Sequence, residues 1–140
     1  MVEQPLYVDV NVFVYWLGNH PQFGNMAYRW IKQMENSSFG EYVTSSLAIY
    51  ETLVIIAGLS GKTLGDKIFT QEVVNALTHI NGLKIEPLGH KDFLDAIQNM
   101  KDYKLDYEDS IHFSVATRLN AKNIISNDSD FDSTPIKRLI

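Results

Sequence analysis

Four short runs rich in β-branched and aromatic residues are separated by longer stretches with helical periodicity. They are Leu6–Val10, Glu41–Ser45, Leu83–Leu88 and Lys122–Ser126. This alternation constrains the fold more than any single motif. A strand, a helix and another strand in succession place neighbouring strands parallel, with the connecting helix packed back onto the sheet. Repeated along the chain, the pattern requires helices on both faces. The expectation is therefore an α/β fold: a three-layer α/β/α sandwich with a central, mostly parallel sheet. The tail, Pro135 to Ile140, adds a last short strand or lies as coil.

The helices are expected at Val12–Leu17, Gln22–Glu35, Leu47–Ala57, Asp66–His79, His90–Lys101 and Asp106–Leu119. Asn11 is suited to cap the first. In the second, Met26, Trp30 and Met34 recur every fourth residue with Ile31 beside them, as a core-facing stripe does. Phe93, Ile97 and Met100 form the equivalent stripe in the fifth. Gly58, Gly61 and Asn81-Gly82 are stop signals. No repeat, linker or low-complexity tract divides the 140 residues. One domain spanning residues 1–140 is the expectation.

Composition narrows the chemistry. There is no cysteine, which excludes disulfides, thiolate metal sites and a thiol nucleophile. The histidines at 20, 79, 90 and 112 lack the close spacing of a zinc site. A formal charge of −5 argues against a protein that coats nucleic acid, but leaves room for a nucleic-acid enzyme whose acids bind metal ions. No run of apolar residues is long enough to span a membrane, and the N-terminus lacks a signal-peptide pattern. A cytoplasmic protein with no membrane partner is expected.

Four carboxylates break their local patterns. Asp9 is embedded in an apolar strand, where an unpaired charge costs several kcal/mol; its ordinary reading is a turn or cap at the strand end. Glu51 has Leu47, Val54 and Ile55 as its helical neighbours and so lies on an apolar face. Asp109 begins an inward-facing row with Phe113 and Ala116, whereas Asp106 and Glu108 read as ordinary first-turn acids complementing the helix dipole. Asp128 follows Asn123-Ile124-Ile125-Ser126-Asn127, just past a buried strand. The run from Asp128 through Asp130 and Asp132 is not an EF-hand calcium loop, because Ser133 and Leu139 occupy the positions that need Gly and Glu.

In a parallel α/β sheet, strand C-termini and helix N-termini share one edge, and ligands bind there. Asp9, Glu51, Asp109 and Asp128 are 42, 58 and 19 residues apart in sequence, yet this topology delivers all of them to that edge. Clustered acids raise one another's pKa, and a hard divalent cation relieves the cost. Oxygen ligands suit Mg²⁺ or Mn²⁺, which activate water or steady a phosphoryl centre.

Taken together, Tyr7-Val8-Asp9-Val10-Asn11, Glu51 within Ala48–Leu53, Asp109-Ser110-Ile111-His112 followed by Ala116, and Ser126-Asn127-Asp128-Ser129-Asp130-Phe131 resemble the PIN-domain ribonucleases. The nearest group is the VapC-type toxins. The resemblance runs from about Leu6 to Phe131. It implies a PIN-like fold in which Asp9, Glu51, Asp109 and Asp128 are the catalytic, metal-holding quartet for Mg²⁺ or Mn²⁺. Asn11 would support the first acid, Ser126 matches the small supporting hydroxyl that precedes the last, and Asp130 matches an additional metal ligand used by some members. It also implies RNA cleavage, a small antitoxin partner and a homodimer. Residues 58–83 match no motif.

Two other classes compete. A haloacid-dehalogenase-like phosphatase also starts with an aspartate at a strand end, but needs a second aspartate two residues on, where Asn11 stands. A non-catalytic PIN-like binding module usually lacks one or more of the acids present here. Lys62, Lys67 and Arg118 are candidates for phosphate contacts and Tyr15 and Trp16 for base stacking, although surface solvation and core packing are the ordinary readings. His112 reads as a packing residue.

Overall fold

The computed structural model describes residues 3–140. Five parallel strands, β1 (Leu6–Val8), β2 (Tyr42–Ser45), β3 (Leu83–Glu86), β4 (Asn123–Ile125) and β5 (Lys137–Leu139), form one sheet in the order β3-β2-β1-β4-β5. Six helices connect them: α1 (Val10–Leu17), α2 (Gly24–Glu35), α3 (Ser46–Ser60), α4 (Lys67–Thr78), α5 (His90–Asp102) and α6 (Tyr107–Arg118). The tail resolves in favour of a strand.

Alternation along each strand divides the core. Val8, Tyr42 and Ile125 face a layer built with Phe13, Ile31, Ala48 and Leu77. Tyr7, Val43 and Ile124 face the opposite way, onto Leu105, Phe113, Val115 and Phe131. Thus α1 to α4 cover one face, while α5 and α6 cover the other. The expected three layers are present.

The chain adds strands on one side of β1, then returns to add β4 and β5 on the other. The order in which strands are added therefore reverses between β1 and β4, with every strand still parallel. The crevice beyond the carboxyl ends of these two strands is where such sheets bind ligands.

Several local expectations need correction. The first strand ends at Val8, and Asp9, not Asn11, caps α1. Helix α3 runs past Gly58 to Ser60, and Gly61 stops it with a left-handed backbone, φ +66°. Its Ser45 occupies the capping position without a side-chain capping bond. In α2 the buried stripe is Gly24, Ala27, Ile31 and Met34; Met26 and Trp30 flank it. In α5 the expected apolar stripe is turned outward: Phe93, Ile97 and Met100 are exposed, while Asp92 and Ala96 are buried. Asp92 can be buried because Arg118 of α6 reaches across to it at 2.9 Å. The same guanidinium binds Glu86 at 2.8 Å, so Arg118 is committed within the fold and does not present a free cation.

Candidate active site

Asp9 is 3% exposed despite its charge. It follows β1 and caps α1, so the two readings of Asp9, cap and buried acid, are both correct. One oxygen accepts the Val10 amide at 2.8 Å, and the other accepts Ser126 Oγ at 2.6 Å and Asn11 Nδ2 at 3.2 Å. Burial raises its pKa; His112, Ser126 and Val10 work against that rise.

Ser126 is the hub of the crevice. While donating to Asp9, its hydroxyl oxygen accepts Asn11 Nδ2 at 3.1 Å and the Asp128 amide at 2.9 Å. Asn11 closes the circuit by accepting the Asn127 amide at 3.3 Å. These bonds tie the β1–α1 turn to the loop after β4. That loop enters a 3-10 turn over Ser129–Ser133, which Asp128 caps by accepting the Asp130 amide.

On α6, Asp106 caps the helix by accepting the Asp109 amide at 2.9 Å, which places Asp109 in the first turn, facing the crevice. Oxygens of Asp109, Asp128 and Asp130 lie within 4.8 Å of one another. Burial, followed by the charges of Asp9, Asp106 and Asp128, pushes Asp109 up to about 8. Among the described residues, no lysine or arginine makes an ion pair with Asp9, Glu51, Asp109, Asp128 or Asp130. Arg138 senses Asp128 but is bound to Asp132 and the Ser126 carbonyl. The all-oxygen donor set of Asp109, Asp128 and Asp130, with Asp109 raised beside Asp9, fits a hard divalent cation.

Glu51 is turned to a second group. Its Oε1 lies 2.6 Å from Nε2 of His112, and it shares a hydrogen bond with Glu108. The pair divides the charge unequally. Burial opposes ionisation of Glu51, but the bonds from His112 and Glu108 outweigh it and lower its pKa. The bond to Glu51, and then its charge, push Glu108 up to about 7. Burial works against a charged His112, yet Tyr7, Glu51 and Asp9 raise its pKa well above the usual value.

The structure thus brings Asp109, Asp128 and Asp130 together, sets Asp9 close enough to raise Asp109, and directs Glu51 towards His112 and Glu108. Glu108 and His112 are the residues that sequence reasoning passed over. Their partners are 57 and 61 positions away on Glu51, beyond the reach of any local pattern. Beside Glu51 and Glu108 lies a groove of about 330 Å³ walled by Leu47, Tyr50, Val54, Ile55 and Ile111. Tyr15 packs against the core and accepts a hydrogen bond from Asn127, and Trp16 packs in the same layer.

A family model described as the PIN domain matches residues 6–137. No curated protein sequence matches. Among solved structures, VapC20 of Mycobacterium tuberculosis, described as a toxin that cleaves the sarcin-ricin loop, superposes with a TM-score of 0.72 at 12% identity, covering 94% of this chain and 95% of its own. VapBC2 of Rickettsia felis, bound to a promoter DNA fragment, gives 0.68 at 16% identity over 97% and 98% of the two chains. A toxin–antitoxin complex from Klebsiella pneumoniae gives 0.67 at 17% identity over 98% and 97%.

Proposed function

The chain belongs to the PIN-domain family, and from that premise we propose that it is a divalent-metal-dependent endoribonuclease, the toxin of a toxin–antitoxin pair. One observation carries the reading: Asp109, Asp128 and Asp130 converge beside Asp9 where the strand order switches sides, and burial with the neighbouring acids raises Asp109 to about 8. Toxins among the similar structures support the biological role.

Asp109, Asp128 and Asp130, together with Asp9, would hold Mg²⁺ or Mn²⁺. When bound, such an ion lowers the pKa of a water and neutralises the scissile phosphate. The chain's own residues do the rest. Ser126 and Asn11 hold Asp9 in one orientation. Glu51, with Glu108 beside it, accepts from and orients the attacking water. The N-termini of α1 and α6 open onto the crevice and favour the phosphate's charge.

The phosphatase reading finds no support at position 11. The Asn11 amide is engaged by Asp9, Ser126 and Asn127, and it has no carboxyl to exchange a proton. A partner surface is available: Tyr50, Val54, Ile55 and Leu59 on α3, with Ile68 on α4, are exposed, as suits a face buried by an antitoxin or a second copy. Among the described residues, no helix is long and apolar enough to cross a membrane.

The test is cleavage of RNA with Mg²⁺ or Mn²⁺, with and without chelator, by wild type and Asp9→Asn. Chelator-sensitive cleavage by wild type alone is expected. Equal, chelator-insensitive cleavage by both would sink the proposal. Metal-dependent stabilisation without cleavage of any RNA would favour a binding module. Co-expression with the product of a short neighbouring reading frame tests the antitoxin, and light scattering tests the homodimer.

A further inference from the structure

His112 is 1% exposed, and a buried imidazole is tolerated where its ring nitrogens find partners. Here both do. Nδ1 lies 2.6 Å from the Tyr7 hydroxyl, and Nε2 lies 2.6 Å from Glu51 Oε1. The three residues come from β1, α6 and α3, so this short chain links the sheet to both helical layers. A carboxylate only accepts hydrogen bonds. Nε2 therefore carries a hydrogen and donates to Glu51, whether the ring is neutral or charged. In the neutral ring Nδ1 accepts the Tyr7 hydroxyl, which satisfies both ring nitrogens and that hydroxyl. Tyr7 is fully buried on β1, the strand that leads directly into Asp9.

We propose that His112 is a positioning residue of the nuclease site: held by Tyr7, it fixes the Glu51 carboxylate in the orientation that faces Glu108 and the crevice. This rests on the nuclease reading given above. A glutamate on a helix has several rotatable bonds, and holding it in place beforehand removes an ordering cost from each turnover. Asp9 is oriented by a different set of donors, Val10, Asn11 and Ser126. Loss of His112 therefore leaves the Asp9 side of the crevice intact while Glu51 becomes free to turn. A histidine that only filled the core would have a different signature, lowering stability without acting through Glu51.

The test is a double-mutant cycle on RNA cleavage, read as kcat and KM separately. His112→Leu should lower kcat by roughly ten- to a hundredfold with little change in KM for RNA. His112→Gln, whose amide can still donate to Glu51, should recover most of the loss. In a Glu51→Gln background, His112→Leu should cost almost nothing more, because the two residues act as one unit. Tyr7→Phe, which keeps the ring and removes the hydroxyl, should show a weaker form of the same kcat effect and serves if His112→Leu fails to fold. Folded His112→Leu or Tyr7→Phe with wild-type kcat would overturn the proposal, as would a loss that adds in full on Glu51→Gln. Wild-type protein that cleaves no RNA with either metal would overturn the nuclease reading, and this proposal with it. An active wild type beside an equally active His112→Leu overturns this proposal alone.

Discussion

Two acidic clusters in this molecule have opposite electrostatics. Beside the β3 edge, Glu86 and Asp92 face Arg118 at 2.8 and 2.9 Å. The Arg118 bond, against a smaller desolvation, holds Glu86 below its usual pKa; at Asp92 desolvation opposes, but Arg118 and the Gly89 amide outweigh it. In the crevice between β1 and β4, Asp9, Asp109 and Glu108 are all raised. The first cluster is neutralised by the chain itself. The second gathers like charge around a set of carboxylate oxygens that, among the described residues, lysine and arginine leave unpaired, the cost that the proposed cation would relieve. Acids in the first cluster should thus matter to stability, and acids in the second to metal binding and turnover.

Substitutions should separate the two. Asp109→Asn or Asp128→Asn should reduce RNA cleavage by roughly a hundredfold or more, since metal-held chemistry lowers the barrier by several kcal/mol. Without metal, Asp109→Asn should melt no lower than wild type, because it removes an acid that folding forces to hold its proton. Arg118→Ala should do the reverse. It leaves Asp92 with only the Gly89 amide as a donor, at a cost of about 1–3 kcal/mol read by denaturant unfolding, with kcat unchanged at temperatures where the protein is folded. A metal-site defect in Arg118→Ala, or strong destabilisation in Asp109→Asn, would break the distinction.

Ser126→Ala should have an intermediate effect. It removes the 2.6 Å donor to Asp9 and the acceptor for Asn11 and Asp128, so cleavage should fall about tenfold. The smallest effect is expected at Asp130, which is exposed: Asp130→Asn should weaken Mg²⁺ binding only a few-fold.

The two clusters should also respond oppositely to pH. Asp92 and Glu86 ionise more readily in the folded chain, so their contribution is complete above their ordinary values of 3.8 and 4.5 and is lost as pH falls through the lowered ones. Asp109 retains, up to about pH 8, a proton that the unfolded chain releases near 3.8. Between those values the metal-free protein should lose stability as pH rises, and Mg²⁺ should flatten the slope. Unfolding curves from pH 5 to 8, with and without Mg²⁺, read this directly.

Much of the architecture was legible in the sequence because strand and helix periods differ and alternate cleanly. The four acids stood out because each stands where an apolar or capping residue belongs, but the pairing of Glu51 with His112 and the joining of Asp130 to Asp109 and Asp128 were not legible from those local patterns. Residues whose roles depend on a distant partner were not. Asp92 stands in the first turn of α5, and its burial against Arg118, with Phe93, Ile97 and Met100 facing outward, depends on a partner 26 positions away. His112 lies within Ser110–Ala116, which is buried on every side of α6, so its position in the sequence does not distinguish packing from positioning. The switch of cap from Asn11 to Asp9 is similar: both residue types cap helices, and only the shared Ser126 shows that Asn11 serves the acid instead.

The central claim is that the crevice acids form a divalent-cation site. Its most direct test is thermal unfolding of wild type and Asp109→Asn during titration with Mg²⁺ and with Mn²⁺. The account predicts a saturable rise in Tm for wild type that Asp109→Asn largely abolishes. No shift in wild type, or equal shifts in both proteins, would contradict it.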